Sequence, residues 1–156
     1  VYLRFGRLAV PVIYDENTYK MEIGKGIKMA DGKDVTIIAT GITVAMALEA
    51  RTLLASEGID AAVVNIHTIK PLDRELVISE AGRTGAIVTA EEHNIIGGLG
   101  EAVSAVTSES NPVPVLRVGI EDAFGRSGKV PALLEKYGLT SAAIAEKARA
   151  AIALKR

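Results

Sequence analysis

The chain has no cysteine and no tryptophan among its 156 residues. Without thiols there is no disulfide framework, no thiolate metal site and no cysteine nucleophile. Aromatic residues make up only 4% of the chain, so its core must be aliphatic, and a hydrophobic content of 49% supplies one. A net charge of −1 offers nothing to attract nucleic acid or an anionic membrane, and neither partner is expected. No apolar run is long enough to span a bilayer and no secretory signal is visible. A cytoplasmic location is therefore expected. This length suits one α/β domain with a core of its own.

What is present is organised around the stretch from Ala86 to Thr107, AIVTAEEHNIIGGLGEAVSAVT. Ala86 to Ala90 reads as a strand covered on both faces, an apolar run with β-branched residues. Glu91, Glu92, His93 and Asn94 then break the pattern at its carboxyl end. Gly97, Gly98 and Gly100 let the backbone turn and approach its neighbours closely. Leu99, Val103 and Val106 recur at the spacing of one helix face.

The rest of the chain repeats this alternation. Gly26 to Ala30 reads as a short edge strand ended by the Asp31-Gly32 turn, and Val35 to Ala39 as a buried strand. Thr43 is the expected cap of a helix reaching about Glu57, with Val44, Met46, Leu48, Leu53 and Leu54 on its apolar side. Ala62 to Ile66 is the next strand, and Asp73 caps a helix that ends near Gly82. Val113 to Val118 reads as a fourth strand of the alternation and Gly119 to Gly128 as an irregular loop. Pro131 suits the first turn of a short helix stopped by Gly138. Ser141 is the expected cap of a last helix with Ile144, Ala148 and Ile152 as its stripe. Such alternation implies a mostly parallel sheet with helices on both faces. The chain opens on a strand-like run, Val1 to Val10, which suggests a segment cut from a preceding domain, and Pro11 to Lys25 reads as a linker.

Few residues here can do chemistry. His67 and His93 are the only histidines, and both follow strands, at the carboxyl edge where α/β sites form. Each could be a general base, both could bind a metal with Glu91 or Glu92, or both could be loop or interface histidines. The glycines before the third helix invite phosphate. Their spacing departs from the dinucleotide fingerprint, however, and two glutamates precede them, so close strand–helix packing is the expected role. Arg4 and Arg7 flank Phe5-Gly6 after the first strand-like residues. An arginine there can hold a phosphate or carboxylate, or can lie at a surface or domain interface.

Three motifs in order carry a resemblance: NIHTIKPLDR at 65–74, TAEEHNIIGGLGEAV at 89–103 and GIEDAFGRSGKVPALLEKYGL at 119–139. Together they resemble the C-terminal domain of transketolases, most closely the forms split into two subunits. Pro71-Leu72-Asp73 and the glycine turn are also similar to 1-deoxyxylulose-5-phosphate synthase and to 2-oxo acid dehydrogenase β subunits. The Phe124-Gly125-x-Ser127-Gly128 stretch favours transketolase over both.

The resemblance implies a three-layer αβα sandwich, its five strands ordered 1-3-2-4-5 with the first antiparallel. It divides the chain into a remnant of the pyrimidine-binding domain (1–14), a linker with an edge strand (15–33) and the C-terminal domain proper (34–156). It implies that Arg4, or else Arg7, grips the sugar phosphate in the intact enzyme. That enzyme would move a two-carbon ketol unit between sugar phosphates on thiamine diphosphate, with Mg. In the family, the Gly-Asp-Gly motif that holds cofactor and metal lies in an N-terminal domain, and the activating glutamate in the middle domain. Neither motif is found in these residues. No catalytic residue, no metal ligand and no cofactor binding are therefore expected of this chain alone. Its implied partners are the missing N-terminal and pyrimidine-binding domains or subunit and a second copy of itself. A small-ligand-binding module using His67, His93 and Glu91 at the carboxyl edge is the reading of another class.

Overall fold

A computed structural model describes residues 2–6 and 9–155. The regular elements are β1 (Ile27–Ala30), β2 (Val35–Ala39), α1 (Thr43–Ala55), β3 (Ala61–Asn65), α2 (Arg74–Thr84), β4 (Ile87–Asn94), α3 (Leu99–Ser110), β5 (Val115–Ile120), α4 (Val130–Lys136) and α5 (Ser141–Ala153). The five strands form one sheet in the order β1-β3-β2-β4-β5. β1 runs antiparallel to β3, and β2, β3, β4 and β5 run parallel. This is the expected topology, including the antiparallel edge.

The period-2 alternation of the strands divides the core in two. Val35, Ile37 and Ala39 of β2, Val63 of β3 and Val88 and Ala90 of β4 face one side, where α1 and α5 pack with Val44, Leu54, Ile144 and Ala148. Ile38, Val64 and Ile87 face the other, covered by α2 and α3 through Val77, Ala81, Leu99, Val103 and Val106. The central strands have no solvent-facing residue, which is why they read as continuous apolar runs.

Helix ends differ from expectation in two places. Thr43 is the first helical residue rather than a cap. Its hydroxyl turns away from the helix to the carbonyls of Thr40 (2.8 Å) and Ala90 (2.7 Å), fastening α1 to the end of β2 and the middle of β4. At α5 the cap is Thr140, not Ser141: its side chain accepts from the Ala143 N–H at 3.1 Å. Asp73 caps α2 as expected, accepting from Leu76 N–H at 3.2 Å. Leu53 lies exposed, because the small residues Ala47 and Ala50 let α1 approach the sheet along a different stripe.

β3 starts and ends one residue earlier than expected, at Ala61–Asn65, and β4 and β5 depart further. β5 begins after Pro114, which has no N–H to give the ladder, although its carbonyl still accepts from Ile87 N–H at 2.9 Å. β4 runs on through the polar residues to Asn94, which pairs with Ile120. Among the described residues, 2–6 and 9–13 carry no strand, so the described part of the strand-like run read at Val1 to Val10 is unpaired in this chain.

Candidate functional site: the carboxyl edge of the sheet

His67 follows β3 and His93 lies near the end of β4, and both strands run parallel to β2 between them. The two histidines therefore emerge at the same edge, two strand positions apart. They are not joined there. His67 Nδ1 lies 2.9 Å from the Thr68 hydroxyl, and its Nε2 is buried with no partner. His93 Nδ1 donates to the Asn94 carbonyl at 2.7 Å, and its side chain is 48% exposed.

Glu91 is the centre of this edge. It is 1% exposed, on the α3 side of β4, and its carboxylate faces the start of α3. Leu99 N–H donates to Oε2 at 2.7 Å and Gly100 N–H to Oε1 at 2.8 Å. A helix N-terminus presents unpaired N–H groups and a partial positive charge, so a carboxylate there is both hydrogen-bonded and electrostatically favoured. Gly98 makes room for it: a Cβ at that position would lie 2.1 Å from Glu91 Oε2. The φ of Gly98 is −106°, so space, not backbone conformation, demands glycine. Gly100 is needed in the same way, since its Cβ would meet Arg117 Cγ at 2.8 Å and the Thr89 hydroxyl at 2.9 Å. Close packing is thus what Gly98 and Gly100 serve, whereas Gly97, at φ +73° with nothing within 4 Å of a Cβ, serves the turn.

Neighbouring loops complete the edge. Asn94 Nδ2 donates to Asp122 at 2.9 Å, while Asn94 Oδ1 accepts from Ile96 N–H at 2.8 Å. Arg117 donates to the Ile95 carbonyl at 3.1 Å. Clefts of about 200 and 420 Å³ are lined by residues around Arg51 and Asp60 and around Phe124 and Tyr137, respectively. Neither contains His67, His93 or Glu91. Among the described residues, no three His, Asp or Glu side chains converge as a metal site. Arg4 is exposed, far along the chain from this edge, and Arg7 lies outside the described residues.

Sequence reasoning missed a second cluster, at the opposite end of the sheet. Glu80 of α2 is wholly buried; Lys28 Nζ lies 2.9 Å from Oε1, and Thr36 and Arg83 both donate to Oε2. Arg83 also donates to the Gly32 carbonyl. Burial pushes the Glu80 carboxyl up, but Arg83, Lys28 and Thr36 outweigh it and hold it below the usual carboxylate range. The Lys28 ammonium is raised, chiefly by Glu80 and then by Asp31. The signal was available in the helical period: Val77, Glu80, Ala81 and Thr84 share one face.

The description "Transketolase, C-terminal domain" belongs to the family model that matches residues 24–144. The chain belongs to that family. Among curated relatives it is 47% identical over 148 residues to a 6-deoxy-6-sulfo-D-fructose transketolase subunit of Clostridium sp. (strain MSTE9), covering 95% of this chain and 46% of that protein. It is 46% identical over 141 residues to a 1-deoxy-D-xylulose-5-phosphate synthase of Heliobacterium modesticaldum, covering 90% of this chain and 22% of that one. A solved structure described as a split-gene transketolase, inactive β4 tetramer, superposes with a TM-score of 0.94 at 50% identity, over 97% of this chain and 49% of that chain. The transketolase of Leishmania mexicana shares the fold at a TM-score of 0.63 and 21% identity, over 83% of this chain and 18% of that one. The chain spans about half the length of the transketolase subunits it matches.

Thiamine diphosphate does not fit the residues described here. The glycine-rich helix N-terminus that would suit its diphosphate is already filled by the Glu91 carboxylate, and no acidic cluster stands ready for a metal. No helix of the described residues is long and apolar enough to cross a membrane.

Proposed function

We propose that this transketolase-family domain serves an intact cytoplasmic enzyme that transfers a two-carbon ketol unit between sugar phosphates with thiamine diphosphate and Mg. The filled N-terminus of α3 carries the reading that its own role is structural. That anion-binding position is occupied by the protein's own carboxylate, so the domain contributes packing to other domains or subunits and to a second copy of itself. The relatives named as transketolase subunits support a companion N-terminal subunit, and the β4 description of the solved neighbour supports association of such chains with one another. In this reading residues 1–14 are the end of the pyrimidine-binding domain, 15–33 connect, and 34–156 form the C-terminal domain.

Calorimetric titration of the chain with thiamine diphosphate and Mg²⁺ tests the central claim. No binding is expected, and stoichiometric micromolar binding would overturn it. In the complete enzyme, Arg4→Ala is expected to raise KM for phosphorylated donors about ten- to a hundredfold, the loss of one charge-assisted hydrogen bond worth roughly 1.5–3 kcal/mol. Unphosphorylated donors should change far less, and equal losses on both would assign Arg4 to folding.

A second activity has a specific observation behind it: the identity to the 1-deoxyxylulose-5-phosphate synthase nearly equals that to the transketolase subunit. Assays of the complete enzyme on sugar phosphates, pyruvate and branched 2-oxo acids separate these activities from each other and from a 2-oxo acid dehydrogenase.

A further inference from the structure

Residues 13–26 lie mostly outside the segment that matches the family model, which begins at residue 24. They are nevertheless fastened to the domain at several separate points. Ile13 packs against the core on the α1 and α5 side of the sheet. The Tyr14 hydroxyl accepts from Asn65 Nδ2 at 2.5 Å, at the carboxyl end of β3, and Asn65 is itself 6% exposed. Tyr14 and Tyr19 rings lie 4.2 Å apart, and the turn between them is closed by Thr18 and Tyr19 N–H groups donating to the Asp15 carbonyl at 3.1 and 2.9 Å.

At its other end the segment meets the loop before α2. Gly24, at φ +85°, sits so close to Pro71 that a Cβ would lie 3.0 Å from its Cγ. Lys25 N–H donates to the Glu22 carbonyl at 3.1 Å, and Gly26 N–H donates to Asp73 Oδ2 at 2.9 Å. Asp73 thus serves twice, with Oδ1 capping α2 and Oδ2 holding the incoming chain.

We propose that residues 13–26 form a clasp, a cooperative unit latched by Tyr14 on Asn65 and by Gly24 and Gly26 on the Pro71–Asp73 loop. The clasp extends the folded domain back to Ile13. It fixes the direction in which the chain before Ile13 leaves the carboxyl end of β3, next to His67. A flexible linker would leave that direction free, whereas two anchors a dozen residues apart hold it, so residues before Ile13 are positioned by this domain. Breaking either latch should release both ends.

Amide exchange, followed residue by residue by NMR on the full chain, tests this. Tyr14→Phe removes the hydroxyl and keeps the ring against Tyr19. Exchange at Thr18, Tyr19, Lys25 and Gly26 is expected to accelerate together, by roughly two- to tenfold for the loss of one hydrogen bond. Sheet amides of Val63 and Val88 should keep their wild-type rates. Gly24→Ala, which strains the opposite anchor, is expected to accelerate Thr18 and Tyr19 as well. Acceleration confined to the mutated end, no acceleration, or equal acceleration throughout the sheet would each overturn the clasp.

Discussion

Two glutamates are buried at opposite ends of the same sheet, and they are kept there in different ways. Glu80 is surrounded by cations: Lys28 and Arg83 reach it from an edge strand and from its own helix, and Thr36 adds a hydroxyl. Among the described residues Glu91 has no lysine or arginine partner; two backbone N–H groups at the start of α3 hold it, and His93 Nδ1 lies 4.0 Å from its Oε2. The cations at Glu80 are long side chains about a third exposed, able to turn to water if the carboxylate is lost. The donors at Glu91 belong to the backbone and cannot leave. The second arrangement is the more brittle, and it occupies a helix N-terminus of the kind that attracts anions.

The strongest way to break this contrast is Gly98→Ala. The added methyl would lie on the Glu91 carboxylate, so the expected cost is about 3–5 kcal/mol, overpacking together with a lost charge-assisted hydrogen bond. Chemical denaturation measures it. The same substitution in a Glu91→Ala background should cost less, with a coupling of about 1–3 kcal/mol. The Asn94 carbonyl, 3.0 Å from the new Cβ, keeps that rescue incomplete.

Glu91→Gln is expected to cost about 1.5–3 kcal/mol, since the amide can accept from one N–H but turns its own NH₂ toward the other. Glu80→Gln should cost less, about 1–2 kcal/mol, because its partners are partly solvated. A larger loss at Glu80 than at Glu91 would reverse the comparison.

The two ends should also part in acid. Glu80 is held below its ordinary 4.5, so its stabilising share is present above that value and drains away as pH falls through the lower folded value. Glu80→Gln is expected to flatten this stretch of the stability–pH curve. Lys28 is raised above 10.5, so its share is complete below that pH and is lost as pH rises beyond it. Denaturation midpoints at pH 3–5 and above pH 10 check both signs. The smallest effect is expected at the exposed Arg149–Glu57 pair, 2.7 Å apart between α5 and the end of α1. Arg149→Ala should shift the midpoint less than any change above, and high salt should erase the difference.

Local chemistry was enough for much of this protein. Continuous β-branched runs such as Val35 to Ala39 can only be strands covered on both sides, and Leu99, Val103 and Val106 can only share a helix face, because side-chain direction follows from backbone period. Asp73 declared itself as a cap because a helix start needs an acceptor in that place. Thr43 and Thr140 show the limit: a hydroxyl near a helix start serves either the helix or a carbonyl brought from elsewhere, and only the approach of Ala90 decides which. The same holds for function. Glu91 reads in sequence as a charge at a strand end, open to a metal or ligand site shared with the histidines. It became a cap because β4 and α3 pack closely enough at Gly98 and Gly100 to bring its carboxylate onto the helix N-terminus. Glu80 meets Lys28 across 52 residues of sequence, and Tyr14 meets Asn65 across 51, distances over which no local pattern carries information. Short-range sterics and periodicity shaped the elements; long-range packing chose the partners of their polar groups.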